Sequence, residues 1–407
     1  MGRIILWGGT ALAVGLCAGG GSAGAQSLSQ SVENALSGNC ADLGPAAKLG
    51  PQLALLCTSI PAFTTTTAPD GGSPEGLSSS AVQGEENQVR KRLQDLRDKK
   101  SGMPSMTQYA DASGSGGTFD LPQLSGYFNF DYQNVSKDTT YFTPGFNSNR
   151  YRGTFGADHS WDNAVLGLSF EYGHTDGDFS GGGNFDSDRY GGTLYGSVTP
   201  APGWFFDGAL GYAHEDLTIN RAVAFSDVGN GFTVAGTSKG TPGVDEYRAS
   251  LDGGYDFYYQ NFTYGPRFGM AYAHRRQGHF SESGSTGLEL SFGDEDFESI
   301  TSTFGAKASM AISTSFGVLV PQVEADWIHE YNNNQQTFTA SFVQDLKGAP
   351  TPLVFQTDNP HRDYAGLSAG VVLGLPHGIS SFLTYRALVG NPLATTQTVT
   401  AGVRFEF

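Results

Sequence analysis

From Tyr127 to the C-terminus, apolar and polar residues alternate with a period of two. This is the pattern of strands that turn one face to an apolar medium. The last stretch is the cleanest. Val399, Ala401, Val403, Phe405 and Phe407 share one face, and Thr398, Thr400, Gly402, Arg404 and Glu406 the other. Tyr247, Ala249, Leu251, Tyr255 and Phe257 repeat it against Arg248, Ser250, Asp252, Gly254 and Asp256. So do Phe262, Tyr264, Phe268, Met270 and Tyr272 against Thr263, Arg267, Gly269, Ala271 and Arg275. The pattern predicts twelve strands, near 126–134, 151–161, 164–175, 187–199, 204–218, 245–258, 262–276, 298–312, 317–330, 362–375, 379–389 and 396–407.

The connections alternate between short and long. Short ones are Asp162-Asn163, Pro200 to Pro202, Gln260-Asn261, Thr314 to Phe316 and Pro376 to Gly378. Long ones span about 135–150, 176–186, 219–244, 277–297 and 331–361, with a shorter hairpin near 390–395. Outer-membrane barrels place short turns in the periplasm and long loops outside. The alternation therefore predicts an all-β, twelve-stranded antiparallel transmembrane barrel over residues 121–407, with both ends on the periplasmic side. A soluble sandwich has no use for such asymmetry. Inward positions carry mixed charge, among them Arg248, Asp252, Asp256, Arg267, Arg275, Lys307, Glu324, Asp326, Arg386 and Arg404. Such groups survive inside a barrel when they pair or meet water, which fits an open pore and a plugged one equally.

Upstream, the period changes. Arg3, the apolar run Ile4 to Leu16 and the small-x-small site Ala23-Gly24-Ala25 form a signal peptide over residues 1–25, cleaved between Ala25 and Gln26. Residues 26–60 are a short N-terminal segment in which Leu49, Leu53 and Leu56 show helical spacing over 46–56. Residues 61–79 are low-complexity and read as a linker. Residues 80–101 predict a helix with an apolar stripe of Val89, Leu93 and Leu96. Its other faces carry Arg90, Lys91, Arg92, Arg97, Lys99 and Lys100. A helix of that length is roughly 30 Å long, about the thickness of a bilayer core. Residues 102–120 form a second, Gly/Ser-rich linker.

Composition sharpens this picture. Charged residues make up 15%, aromatics 12%, and there are 57 glycines. The formal charge of −17 excludes a basic face for nucleic acid. After signal cleavage, Cys40 and Cys57 remain. An even pair in an exported chain reads as one disulfide; the alternative is two buried thiols. The chain contains no second apolar run long enough for a spanning helix.

No chemistry emerges. Gly366-Leu367-Ser368-Ala369-Gly370 matches a nucleophile-elbow pattern, but that motif needs a strand-to-helix turn, and here it lies inside an alternating strand. His214-Glu215-Asp216 and His329-Glu330 read as rim residues at strand ends. Asp294-Glu295-Asp296 with Glu298 reads as a solvated acidic loop tip, with Ca²⁺ or bridged lipopolysaccharide phosphate as the alternative. The expectation is no enzyme activity and no cofactor.

Residues 120–407, the preceding helix, the signal peptide and the terminal Val403-Arg404-Phe405-Glu406-Phe407 together resemble the translocator domain of autotransporters. The resemblance implies a pore that houses the helix and joins it to an exported passenger. It also implies recognition of the terminal aromatics Phe405 and Phe407 by the barrel assembly machinery, with periplasmic chaperones as earlier partners. Outer-membrane lipid and lipopolysaccharide would surround a single-chain barrel. The chain departs from the family in its short passenger, residues 26–79, which has no repeats. About 20 residues also separate the helix from the first strand, and no Asn-Asn pair there offers an in-barrel cleavage site. The leading expectation is a barrel that translocates or anchors its own N-terminal segment, which ends at the cell surface or in the periplasm. Alternatives are a diffusion channel with a periplasmic plug, and an adhesin acting through loops 219–244 and 331–361, with Phe338, Phe342 and Phe355 as contact points.

Overall fold

The computed structural model describes residues 28–41, 48–59, 90, 92–94, 97, 123–227, 232–332, 334–359 and 361–406. The signal peptide with its Ala25-Gln26 junction, both linkers, Val89, Leu96 and Phe407 lie outside the described residues.

In chain order, α1 (Leu28–Ala41) and α2 (Pro51–Ser59) come first. Then follow β1 (Gln123–Lys137), β2 (Phe146–Ser160), β3 (Ala164–Phe179), β4 (Gly183–Val198), β5 (Trp204–Asp227), β6 (Phe232–Gly240), β7 (Gly243–Tyr255) and β8 (Phe257–Tyr259). Next are β9 (Phe262–Gln277), β10 (Phe280–Ser281), β11 (Leu290–Phe292), β12 (Glu295–Met310), β13 (Ile312–Thr314) and β14 (Gly317–Glu330). The chain ends with β15 (Thr337–Phe342), β16 (Leu353–Gln356), β17 (Asp363–Leu375), β18 (Ile379–Val389) and β19 (Ala394–Glu406).

Twelve of these form a closed antiparallel barrel in the order β1-β2-β3-β4-β5-β7-β9-β12-β14-β17-β18-β19. β19 returns to β1 in a register running from Ser125↔Glu406 to Lys137↔Ala394, so no edge is left unpaired, as a sheet in lipid requires. β8 and β13 continue β7 and β12 after single breaks at Asp256 and Ala311. The barrel is inside-out relative to a soluble domain. Leu251 is 72% exposed on the outer wall, whereas the inward Asp326 is 3% exposed.

The strands reach further outward than the apolar alternation indicates. The expected 176–186 loop is only a turn, with Gly182 and Gly183 at positive φ. The expected 219–244 loop is largely the hairpin of β5 with β6. The reason is a reversal of polarity. Above the membrane band, Asp176, Asp178 and Asp186 point outward, while Val135, Phe146, Phe179, Phe185, Leu217 and Ile219 pack inward as one apolar cluster. The period of two persists, but the apolar face has switched sides. His214-Glu215-Asp216 accordingly lies within β5, not at its end. Asp294–Glu298 is not a loop tip either: it leads into β12, and Asp294 accepts the His279 backbone N–H at 2.7 Å.

The remaining long loops form a second sheet, β10-β11-β15-β16, above the barrel mouth. A bridge between Lys239 and Ser283 ties it to β6. Asp358 ties the far end of the β14–β17 loop to the β1–β2 loop, accepting hydrogen bonds from Lys137 (3.0 Å), Thr140 (2.6 Å) and Thr143.

The helical expectation for residues 46–56 needs correction. Leu49 makes a bridge to Asp345, and α2 begins at Pro51, where the ring's missing N–H costs nothing at a first helical position. α1, which the sequence pattern did not mark, lies against β16. Cys40 and Cys57 are joined, linking α1 to α2.

Candidate functional site

The inner wall supports two ionic clusters. Four arginines and four carboxylates of the first cluster neutralise one another without help. Arg152 meets Asp131 (3.2 Å) and Glu171 (3.6 Å), Arg189 meets Glu246 (2.8 Å), Arg248 meets Glu171 (3.2 Å) and Arg275 meets Glu215 (2.8 Å). The pairs repeat around β1, β2, β3, β4, β5, β7 and β9, so each buried charge has a counter-charge, which a low-dielectric interior demands.

The second cluster needs a visitor. Arg90, Arg92, Leu93, Gln94 and Arg97 are helical and all buried within the barrel. Arg92 is the most tightly held. Its Nε and Nη2 grip both oxygens of Asp158 at 2.6 and 2.7 Å, in the two-pronged geometry that makes arginine–carboxylate pairs strong. Ser125 and Tyr195 also donate to Asp158, at 2.6 and 3.0 Å. Leu93 packs with Tyr127, Val165 and Tyr195. Arg97 bonds to Asp207 at 2.5 Å, lies 4.0 Å from Asp256, and stacks over the Phe205 ring at 3.8 Å. Lys307 also holds Asp256, at 3.0 Å. Arg90 reaches Glu324 at 3.0 Å and Asp326 at 3.9 Å, and these two carboxylates also receive Arg267 and Arg386.

The contacts lie at two heights in the barrel. Asp207, Asp256 and Asp158 sit within a few residues of the short turns, because β5 starts at Trp204, β7 ends at Tyr255 and β2 ends at Ser160. Glu324 and Asp326 lie further up β14. Arg92 and Arg97 thus both hold carboxylates near the short turns, while Arg90 reaches those nearer the mouth. Upstream of the helix, α1 and α2 pack on the loop sheet at that mouth.

The inward residues read from the sequence all face the lumen. Arg404 lies over Phe382 at 4.9 Å, and Asp252 is half-buried on the inward face. The inward alternation also places Asp158 and Asp207 on the lumenal face, though not as partners of the helix; Ser125, Tyr127, Tyr195 and Phe205 it does not mark. A usable signal was present, since Tyr127, Tyr195 and Phe205 are large aromatics on the otherwise polar inward row. A Cβ at Gly156 or Gly167 would overlap the rings of Tyr127 and Tyr195, so those glycines make room for rings that serve the helix. Phe338, Phe342 and Phe355, read as adhesin contact points, are buried at 2%, 1% and 2% exposure and are covered by the N-terminal helices. Ser368 sits mid-strand in β17 opposite Glu324, and the exposed Leu367 beside it faces outward.

The family profile of the autotransporter beta-domain matches residues 126–386. Among solved structures, the translocator domain of the autotransporter NalP from Neisseria meningitidis is similar at a TM-score of 0.54 and 14% identity, covering 79% of this chain and 98% of that one. The beta domain of the Bordetella autotransporter BrkA is similar at a TM-score of 0.51 and 15% identity, covering 70% of this chain and 100% of that one. At such identities the likeness is one of fold. No curated protein sequence matches the chain. With the profile spanning well over half of a closed twelve-stranded barrel, this chain belongs to the autotransporter β-domain family, as an outer-membrane translocator barrel.

Proposed function

We propose that this barrel exports its own N-terminal segment, residues 26–60, and then anchors it at the cell surface through the helix that remains in the lumen. One observation supports the reading: Arg90, Arg92 and Arg97 are held inside the barrel, while α1 and α2, upstream of them in the chain, pack on the loop sheet at the mouth. A chain in that arrangement leaves its upstream residues outside. The work is vectorial, and no residue needs to make or break a bond. The wall supplies a charged route, and the three arginines hold the transported chain in one register. A periplasmic plug would enter from the short-turn end and leave α1 and α2 beside the turns, not on the outer loops.

An epitope inserted after Gln26 tests this. Antibody should reach it on intact cells, and protease added outside should cut the 61–79 linker. An epitope reached only after the outer membrane is permeabilised would contradict the reading and favour a channel with a periplasmic segment.

A further inference from the structure

The N-terminal segment has almost no core of its own. Among the described residues, it contributes Val32, Ala35, Leu36, Leu53 and Leu56, with the partly buried Leu49 against them, to an apolar cluster whose remainder comes from the barrel's outer strands and loops. Leu36 and Leu53 are fully buried, and so are Leu290, Phe338, Phe342 and Phe355 opposite them. Each side alone would leave an apolar face in water.

The polar contacts make the match specific. The start of α2 carries no side-chain cap of its own, because Gly50 precedes Pro51. The first N–H groups of a helix need acceptors, and here Gln344 of the β14–β17 loop supplies them. Its side-chain oxygen accepts the Gln52 and Leu53 N–H groups, both at 3.0 Å. Its carbonyl accepts Gly50 N–H at 2.7 Å, and its side-chain amide donates to Gln52 at 2.5 Å. Lys347 donates to the fully buried Asn39 at 2.8 Å. Gly287, at positive φ, lies where a Cβ would press on Gln52 and Leu56, so the loop backbone itself is shaped to admit α2. A segment of this size is too small to build a sufficient core of its own. Its helix start and its core are completed by the loops.

We infer that the loop sheet is a capture site for the emerging segment. Docking there, not independent folding of a passenger, makes export one-way, and the segment stays on the sheet as a cap when the chain behind it is cut. A chain sliding in a pore moves in both directions. A partner that binds only the emerged form shifts that equilibrium outward by mass action. This inference rests on the export reading above.

The test uses full-length protein with the epitope after Gln26, as wild type and as Leu36→Asp and Gln344→Ala variants. Leu36→Asp leaves every barrel residue intact, so heat-modifiable barrel should reach normal levels. After external protease cuts the 61–79 linker, the tagged wild-type fragment should remain with the cells and copurify with the barrel. Leu36→Asp should expose the epitope at least tenfold less, with the residual fragment shed into the medium. Gln344→Ala should export but release its cut fragment roughly tenfold faster than wild type. Equal epitope exposure on wild-type and Leu36→Asp cells would overturn capture while leaving export standing. Shedding of the cut wild-type fragment would overturn the cap. A wild-type epitope hidden until permeabilisation would overturn the export reading and this inference together.

Discussion

Replacing Arg92 by Met should loosen the lumenal helix markedly, and more than the same change at Arg90. Methionine keeps the apolar stem but removes the guanidinium that holds both oxygens of Asp158. Ser125 and Tyr195 remain as neutral donors. Among the described residues, no other cation forms an ion pair with Asp158. Breaking one partner of a buried ion pair costs about 3–5 kcal/mol, because the survivor keeps its desolvation penalty. At about 1.4 kcal/mol per decade, the helix should open roughly a hundred- to several-thousandfold more often. Hydrogen exchange of a peptide covering residues 90–97 reads this directly, since exchange follows local opening. Arg90→Met should be milder, at about 1.5–3 kcal/mol for a charged hydrogen bond, because Arg267 and Arg386 still neutralise Glu324 and Asp326. Pairing Arg92→Met with Asp158→Asn should return exchange to within about tenfold of wild type, as removing both charges is close to neutral. Unchanged exchange in Arg92→Met, or a double variant as fast as the single, would refute the assignment of this pair as an anchor of the helix.

Three further outcomes are expected. Cys40→Ser with Cys57→Ser should cost the cap about 3 kcal/mol by chain entropy and make it markedly more protease-sensitive, with the barrel's heat-modifiable migration unchanged; an equally resistant cap would contradict this. Burial lifts the Glu295 carboxyl to about 7, against a hydrogen bond from the Thr339 backbone and with Asp296 and Asp294 adding to the rise. Because the folded value is raised, the loop sheet should be most stable below the ordinary glutamate range and lose that stability as pH rises through about 7; Glu295→Gln should flatten the difference in cap proteolysis between pH 5 and pH 8, and a wild-type cap equally resistant at both values would contradict it. Deleting Phe407 should leave the barrel degraded in the periplasm, since β19 must close on β1 and its outward Phe405 belongs to the aromatic row; normal outer-membrane levels of the deletion would count against that.

The barrel was legible because lipid enforces one rule along every strand: apolar outward, polar inward. Phe268 and Met270 against Arg267 and Gly269 need no tertiary knowledge to place. The rule fails above the membrane, where water reverses it, so Phe179 and Phe185 read as loop residues although they lie in strands. Loops 277–297 and 331–361 failed for another reason. Phe338, Phe342 and Phe355 look like exposed contacts until the helices that cover them, some 300 residues earlier in the chain, are in place. The basic face of the lumenal helix was visible, and so were Asp256, Glu324 and Asp326 as its potential partners. Asp158 and Asp207 were legible as inward residues but not as its partners, because strand tilt and stagger, not sequence spacing, set which inward carboxylates share a height with Arg92 and Arg97.

Anchoring through the barrel requires a lumen filled by the arginine-bearing helix. Single-channel conductance of the purified barrel in a planar bilayer, with and without residues 26–118, tests this most directly. The full chain should be nearly silent, and the shortened barrel should show a steady open pore with a conductance at least several-fold higher. Equal conductance in the two forms would mean that the helix does not fill the lumen.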